Sequence, residues 1–371
     1  MILSTKLFTC WIKKPWKTNR WNLDGRSTKL AGLKFRYLSE RILVMSTTLL
    51  LNSISWSNPI GYQCHEDLNQ YLDKQVQRLE STYRKLDPDN FQSIFPENRP
   101  QFIPGNPNHP ENNNKVVLLI HGFMGTPQEM QRVANPLVEK GFSAYLGLIP
   151  GFAGTAKIAN QYSYKVWQKW LSIEMEQLKS CFDQIYLVGF STGGLLIHDY
   201  LMTHDDLTKI KGASLLSPYF ETSGIFNTVV QKTASTILNE FSTELVYKLF
   251  GFPEVEVMLK RPQNYLQSVP LKTTQEIVAL GKINQRYKAE KPLPVPNMTL
   301  VSDNDQLIDI DVANKVTYKN FITRYWDDYG SSRFFSREKR VPHHIMCPEV
   351  SPVADTVRNK VDQFVTELST L

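Results

Sequence analysis

The sequence predicts an α/β protein with a mostly parallel central sheet that is covered by helices on both faces. Between residues 115 and 371, short β-branched and aliphatic runs alternate with segments of helical periodicity, the pattern of such a sheet. Apolar residues make up 42% and charged residues 21% of the 371 residues, so the chain can bury a large core and is not disordered as a whole. No run of eighteen apolar residues is present, which excludes a multi-span membrane protein.

Five short aliphatic segments are the predicted strands of this sheet. They are residues 116–120, 143–148, 185–188, 213–216 and 298–301. Helices are predicted over residues 164–180, 193–202 and 352–368. A further helix is predicted to begin at Thr126-Pro127-Gln128-Glu129, which has the residue pattern of a capping box, and Gly141 follows it as a C-terminal stop.

A basic extension precedes this region and covers residues 1–64. Ten Lys or Arg residues against two acidic residues give residues 1–45 a charge of +8, which leaves −2 on the remainder. Nucleic-acid recognition would need the positive charge on the folded body, so nucleic acid is not an expected partner. Residues 34–57 pass from basic to apolar to small residues, an order that resembles a signal peptide. A disordered or mis-started extension explains the same pattern, so the compartment, cytoplasmic or exported, stays open.

Residues 65–114 form a second region. Apolar residues at three- and four-residue spacings predict an amphipathic helix over residues 65–86, which we expect to pack on the body. Six prolines and an Asn run between Asp87 and Lys115 exclude a continued helix or a central strand, so this stretch is predicted to be a linker or a surface arm.

The four cysteines occur singly along the chain, as Cys10, Cys64, Cys181 and Cys347. None belongs to a C-x-x-C pair or to a set with metal-ligand spacing. The cysteines therefore predict neither a zinc site nor a disulfide framework.

The most specific motif is Gly189-Phe190-Ser191-Thr192-Gly193, which fits G-x-S-x-G. A predicted strand precedes it and a predicted helix follows, the context in which such a serine is a nucleophile on a sharp turn. Glycines are needed there because the turn brings neighbouring backbone segments too close for a Cβ atom. Ser191 is therefore the candidate nucleophile.

Residues 115–371 resemble the α/β-hydrolases, in particular the bacterial carboxylesterases and monoacylglycerol lipases. The resemblance rests on three stretches, residues 118–125 (LLIHGFMG), 150–154 (PGFAG) and 189–194 (GFSTGG). It implies an α/β-hydrolase fold over residues 115–371, with a helical cap inserted between core strands at about 219–292. The resemblance does not extend to residues 1–114.

The resemblance also implies a base and an acid for Ser191. The order in this fold is serine, acid, histidine, which leaves only His343 and His344 among the seven histidines. Relatives often place an aliphatic residue after the histidine, which favours His344, with His343 as the alternative. Relatives also carry the acid after a core strand, which favours Asp305, with Asp303 as the alternative. Residues 327–342 make the approach to the histidine longer than in compact esterases.

Two backbone N–H groups are needed to stabilise the oxyanion of the tetrahedral intermediate. By resemblance these belong to Phe123 and Thr192. The predicted cap is rich in apolar side chains, most of which we expect to pack on the body. A minority that lined an acyl pocket would favour medium-chain esters over acetate.

These expectations describe an enzyme, a serine esterase or lipase that cleaves small-molecule or lipid carboxylic esters through an acyl-enzyme. Ser191 attacks the carbonyl, His344 transfers the proton and Asp305 orients the imidazole. No metal or organic cofactor is required. The oligomeric state is not indicated.

Two alternatives stay open. The same triad serves a lysophospholipase or a thioesterase, which differ from an esterase only in the shape of the pocket. From another class of protein, a catalytically silent α/β-hydrolase scaffold would bind lipid or protein. Peripheral contact with an anionic membrane would then come from the basic N-terminal segment and its tryptophans, Trp11, Trp16 and Trp21.

Overall fold

The structure is a computed structural model that describes residues 60–223, 240–250, 258–287, 292–302, 305–318 and 341–371. Several sequence-based predictions lie outside these residues. They are the signal-peptide pattern at 34–57, the three tryptophans of the basic segment, Asp303 and most of residues 327–342.

Short segments of three to seven residues form the strands. They are β1 (Gln101–Ile103), β2 (Lys115–Ile120), β3 (Ser143–Gly147), β4 (Gln184–Phe190), β5 (Ile210–Leu216), β6 (Glu240–Ser242), β7 (Ser268–Pro270) and β8 (Asn297–Leu300). The central sheet has the order β1-β3-β2-β4-β5-β8, in which β1 alone runs antiparallel to its neighbour. The mostly parallel sheet and all five predicted strands are confirmed. The added strand β1 lies at the edge of the sheet and is bounded by Pro100 and Pro104, which an edge strand tolerates.

Helices cover both faces of the sheet. They are α1 (Ile60–Leu86), α2 (Gln131–Glu139), α3 (Ala156–Ala159), α4 (Tyr164–Cys181), α5 (Thr192–Thr203), α6 (Thr243–Phe250), α7 (Leu271–Arg286), α8 (Ile310–Tyr318) and α9 (Ala354–Leu368). Alternate residues of β2 pack into two separate buried clusters, Val116 and Leu118 in one and Val117 and Leu119 in the other. This alternation follows the two-residue repeat of a strand whose faces are both buried.

The capping-box interpretation of residues 126–129 is wrong. Pro127–Met130 form a 3-10 turn and α2 begins only at Gln131. The Thr126 hydroxyl donates to Asn98 Oδ1 at 2.9 Å instead of capping the helix. Glu129, three residues on, turns its carboxylate toward the loop that precedes the turn. The predicted stop at Gly141 follows α2 with φ of +92°.

The N-terminal helix α1 packs on the body through Leu68, Leu72 and Tyr83, all of which are buried. At its middle, the Tyr71 hydroxyl donates to Glu174 Oε1 of α4 at 3.1 Å. Gln75 of α1 and Tyr145 of β3 also donate to this carboxyl group. Burial raises the pKa of Glu174 to about 7, although these hydrogen bonds oppose the shift.

A disulfide joins Cys64 of α1 to Cys181 at the end of α4, with the two Cα atoms 5.6 Å apart. This pairing corrects the expectation that the cysteines form no disulfide. The two residues are 117 positions apart in sequence, and only the packing of α1 against α4 brings them together. Among the described residues Cys347 is the free cysteine.

The described parts of the insertion predicted at 219–292 include the antiparallel pair β6–β7 and the helices α6 and α7. Helix α7 packs against α5, where Asn284 donates to Asp199 Oδ1 at 3.0 Å. Several apolar residues of the predicted cap, such as those of 224–239, lie outside the described residues. No helix in the described part of the chain is both long and apolar enough to cross a membrane.

Candidate active site

Ser191 lies at the tight connection between β4 and α5. Its backbone has φ of 51° and ψ of −111°, a conformation that non-glycine residues rarely adopt and that marks a strained functional turn. A Cβ added to Gly189 would lie 2.5 Å from the Gly193 backbone, and one added to Gly193 would collide with Ile120. Both glycines are therefore required by the close backbone approach that the sequence motif predicts.

His343 connects Ser191 to Asp305. Its Nε2 lies 2.8 Å from Ser191 Oγ, and its Nδ1 lies 2.7 Å from Asp305 Oδ2. Ser191, His343 and Asp305 are 5%, 6% and 8% exposed, respectively, so the hydrogen bonds between them are screened from water. The carboxylate can only accept, so it fixes the proton on Nδ1 and leaves Nε2 free to accept from the serine hydroxyl.

Backbone groups hold the Asp305 carboxylate in place. Its Oδ1 accepts from the N–H groups of Leu307 at 2.9 Å and Ile308 at 3.1 Å. Asp305, the acid predicted from the sequence, lies five residues after the end of β8. Its other oxygen remains directed at His343.

The geometry favours His343, the alternative named from the sequence, over the preferred His344. His344 Nε2 contacts Glu129 Oε2 at 3.0 Å, and His343 holds both of the contacts expected of a triad histidine. The physical reason is that the buried Glu129 carboxylate provides a separate partner for His344. The Phe190 ring lies beside both imidazoles, with centroid distances of 5.2 Å to His343 and 4.7 Å to His344.

The loop after β2 lies against the nucleophile. A Cβ added to Gly122 would be 3.3 Å from Ser191 Cβ and 2.7 Å from the Phe190 ring. No backbone hydrogen bond among the described residues uses the Phe123 N–H as a donor. Thr192 is the first residue of α5, where an N–H group has no acceptor within the helix. Phe123 and Thr192, whose N–H groups are predicted to bind the oxyanion, line the same cavity as Ser191.

His121 and Glu129 fix this loop from two sides. The Gly122 carbonyl accepts from His121 Nδ1 at 2.8 Å, and His121 Nε2 accepts from the Ile149 N–H at 3.0 Å. Burial lowers the pKa of His121, which favours the neutral imidazole that this pair of bonds requires. On the other side, the Gly122 N–H donates to Glu129 Oε1 at 2.5 Å.

Glu129 is the site residue that sequence reasoning missed. Its position three residues after Thr126 matches a capping box. Because a helix cap already explains a glutamate at this position, the local pattern offered no reason to place Glu129 in the active site. A signal that could have indicated its role is its place four residues after the HGFMG stretch and seven residues after Gly122.

An apolar cavity of about 670 Å³, including its opening to solvent, begins at Ser191. Besides Ser191, Thr192, His343 and His344, the described residues that line it are largely apolar and come from the body and the insertion: Phe123, Phe190, Tyr219, Thr222, Met258, Thr274, Ile277, Leu307 and Ile308. In the part of the chain that the structure describes, no group of three or more His, Cys, Asp or Glu is placed to hold a metal ion.

The sheet, the strand-to-helix serine and the acid after β8 define a protein of the α/β-hydrolase class. The chain belongs to the Hydrolase_4 family, described as serine aminopeptidase, S33, whose model matches residues 111–324. His343 lies beyond the matched residues.

Known relatives and structures agree with this class. The chain is 27% identical over 114 residues to a thermostable monoacylglycerol lipase from Bacillus sp. (strain H-257), a match that covers 31% of this chain and 46% of that protein, less than half of its length. A structure from work on LipS and LipT, two metagenome-derived lipolytic enzymes, is similar with a TM-score of 0.55 at 14% identity, covering 74% of this chain and 99% of the other. The Paleococcus ferrophilus monoacylglycerol lipase is similar with a TM-score of 0.54 at 17% identity, and the match covers 72% of this chain and 98% of that protein. At such identities the two structures show a shared fold.

Proposed function

We propose that the protein is a carboxylic ester hydrolase that uses Ser191, His343 and Asp305 as its catalytic triad. The observation that carries this proposal is the continuous hydrogen-bonded chain from Asp305 through His343 to Ser191 at the base of an apolar cavity. A catalytically silent scaffold would have no need of three buried residues joined by hydrogen bonds in this way.

Acylation begins when Ser191 Oγ attacks the ester carbonyl carbon and His343 Nε2 takes the hydroxyl proton. Asp305 stabilises the imidazolium that results. The negative charge on the former carbonyl oxygen is stabilised by the N–H groups of Phe123 and Thr192, an effect worth roughly 2.7–4 kcal/mol per donor. The tetrahedral intermediate then expels the alcohol, to which His343 returns the proton.

Deacylation uses the same groups. A water molecule takes the place of the alcohol and gives a proton to His343 Nε2 as it attacks the acyl carbon. The second tetrahedral intermediate expels Ser191 Oγ, which regains its proton from His343. The carboxylic acid leaves and no other reactant is consumed.

The lining of the cavity favours an ester over the N-terminal peptide that the family's description suggests. An aminopeptidase must bind a cationic amino group, which calls for a carboxylate in the pocket. Among the described residues that line this cavity, none is Asp or Glu. The nearby carboxylates of Asp305 and Glu129 already accept hydrogen bonds from protein groups.

A lipid-like acyl chain is the substrate group that suits this cavity. Side chains such as Met258, Ile277 and Leu307 offer an apolar surface to it. The monoacylglycerol lipase names of two relatives are consistent with a lipid ester substrate. We propose acyl esters of medium chain length, for which each buried CH₂ contributes about 0.8 kcal/mol, or about a fourfold gain in kcat/KM.

The test is hydrolysis of p-nitrophenyl esters from acetate to laurate by the purified protein beside Ser191→Ala. We expect kcat/KM to rise with chain length toward an optimum and activity to vanish in Ser191→Ala. Parallel assays with a monoacylglycerol, a lysophospholipid and an acyl-thioester compare the leaving groups. A folded protein that neither hydrolyses these substrates nor reacts with a fluorophosphonate would contradict the proposal and favour the silent scaffold.

A further inference from the structure

The Glu129 carboxylate joins two loops of the active site. One oxygen accepts from the Gly122 N–H at 2.5 Å and the other contacts His344 Nε2 at 3.0 Å. The side chains of Glu129 and His344 are only 7% and 4% exposed, so both bonds are largely screened from water. Burying a carboxylate is costly unless its hydrogen bonds are satisfied, and here they come from the oxyanion loop and the histidine loop.

The loop folds closely around this carboxylate. A Cβ added to Gly125 would collide with Glu129 Oε1, so any larger residue there would displace the Glu129 carboxyl group from its present position. The Gly125 N–H donates to the Gly122 carbonyl at 3.2 Å, which closes a turn over residues 122–125. Glu129 therefore lies inside the curve of the loop that carries the Phe123 N–H.

The bonds to Gly122 determine where the Phe123 N–H points. The Gly122 carbonyl and the Phe123 N–H belong to one planar trans peptide group and point in opposite directions. His121 holds the carbonyl side of this group, while Glu129 holds the preceding N–H of Gly122. Together these two side chains fix both peptide groups that flank Gly122.

His344 completes the connection to the triad loop. It is the residue after His343, and its ring stacks on Phe190 at an interplanar angle of 24°. Its Nδ1 is buried without a hydrogen-bond partner among the described residues, which favours the tautomer that carries the proton on Nε2 and donates it to Glu129. A shift of Glu129 would thus disturb the oxyanion loop and the histidine loop together.

We propose that Glu129 is a positioning residue that fixes the Phe123 N–H for oxyanion binding through Gly122 and couples that loop to His343 through His344. This inference rests on the ester hydrolysis proposed above. Glu129 is not among the described residues that line the cavity at Ser191, so its proposed effect is on the geometry of the groups that bind the transition state. Displacements of about 1 Å at such a site can cost about 100-fold in rate.

The experiment compares Glu129→Ala and Glu129→Gln with the wild type, using p-nitrophenyl butyrate and a trifluoromethyl ketone that forms an oxyanion on Ser191. We expect Glu129→Ala to lower kcat about 10- to 100-fold with KM changed less than about 3-fold. The Ki of the ketone should rise in the same proportion, because the ketone adduct uses the same oxyanion donors. Glu129→Gln keeps an acceptor for Gly122 and should recover most of the activity.

The matched control is Gln128→Ala, which removes a bond to Asn264 at 2.6 Å from the same turn and should leave kcat and Ki unchanged. Thermal unfolding of every variant separates positioning from loss of structure. If Glu129→Ala does not fold, His344→Ala tests the other bond, and a kcat loss of about 3- to 10-fold with a parallel rise in Ki supports the proposal.

Two results for Glu129→Ala would overturn the proposal: a wild-type kcat, or a loss of kcat without a rise in the Ki of the ketone. If His344→Ala is used in its place, wild-type values of kcat and Ki in that variant would overturn the proposal. Ser191→Ala is assayed alongside, so that failure of the positioning role of Glu129 can be distinguished from failure of the proposed ester hydrolysis. Wild-type activity that Ser191→Ala abolishes and Glu129→Ala retains rejects only the positioning role. The absence of ester hydrolysis in the wild type rejects the proposed function and this inference with it.

Discussion

Ser191 Oγ lies 2.8 Å from Nε2 of His343, a residue that approaches the nucleophile from the loop before α9. The two residues are 152 positions apart in sequence, and the β4–α5 turn and the described stretch from Val341 to α9 bring them together. The Ser302 hydroxyl, two residues after β8, donates to the Val341 carbonyl at 2.6 Å and holds this stretch two residues before His343. The position of His343 therefore depends on the end of the sheet as well as on its own loop.

Asp305→Asn should lower kcat by about 10⁴-fold with little change in KM, because an amide N–H can donate to His343 Nδ1 and hold the imidazole in the wrong tautomer. Asp309→Asn is the matched control, since Asp309 Oδ1 accepts from the Val312 N–H at 3.0 Å at the start of α8 and does not contact the triad in the described residues. The measurement is steady-state ester hydrolysis by both variants. An Asp305→Asn enzyme within tenfold of the wild type would argue against Asp305 as the triad acid.

The buried Glu174 carboxyl predicts a pH dependence of stability. Its pKa is about 7 in the folded protein and near 4.5 in the unfolded chain, so the unfolded state loses this proton first as pH rises. The stabilisation is complete below pH 4.5 and is lost as pH rises through about 7, with a total change of about 3 kcal/mol.

Glu174→Gln should flatten this dependence, because an amide stays neutral across the range. The measurement is thermal unfolding of both proteins between pH 5 and 8. Glu176→Gln, on the exposed side of α4, serves as the control and should keep the wild-type slope. Equal slopes for the wild type and Glu174→Gln would contradict the buried-carboxyl explanation.

Removing the Cys64–Cys181 disulfide should destabilise the protein. Closure of a loop with a sequence separation of 117 residues is worth about 4–5 kcal/mol in the chain-entropy model, so the double Cys→Ser variant should lose roughly 5–15 °C in Tm. Cys347→Ser, at the free cysteine, should leave Tm unchanged. Peptide mapping without reductant should recover Cys64 joined to Cys181. Two free thiols at these positions in oxidised protein would contradict the pairing.

Ile277→Trp should shorten the acyl chains that the enzyme accepts, because Ile277 of α7 lines the cavity. We expect kcat/KM for decanoate to fall about 10-fold relative to butyrate. Gln275→Trp, on the exposed face of the same helix, should preserve the wild-type profile. A wild-type chain-length profile in Ile277→Trp would place the acyl chain elsewhere.

The sheet and the nucleophile could be predicted from sequence because their signals are local. Residues 116–120 and 185–188 are continuous aliphatic runs, and the glycines around Ser191 are required by a turn only a few residues long. The edge strand β1 was not predictable, because its three residues, Gln101–Ile103, become a strand only by pairing with β3.

The choice between His343 and His344 could not be made from sequence, because it depends on Glu129. Adjacent histidines present the same local pattern, and only the folded chain shows that Glu129 is the partner of His344. The disulfide is a similar case, since Cys64 and Cys181 meet through helix packing between α1 and α4. Long-range partners of this kind leave no pattern within a sequence window.

The most direct test of the proposed triad compares His343→Ala with His344→Ala in ester hydrolysis and in the rate of fluorophosphonate labelling of Ser191. The geometry predicts that His343→Ala lowers both rates by about 10³-fold or more, while His344→Ala loses no more than about 10-fold. The reverse order, with His344→Ala inactive and His343→Ala active, would contradict the assignment of His343 as the catalytic base.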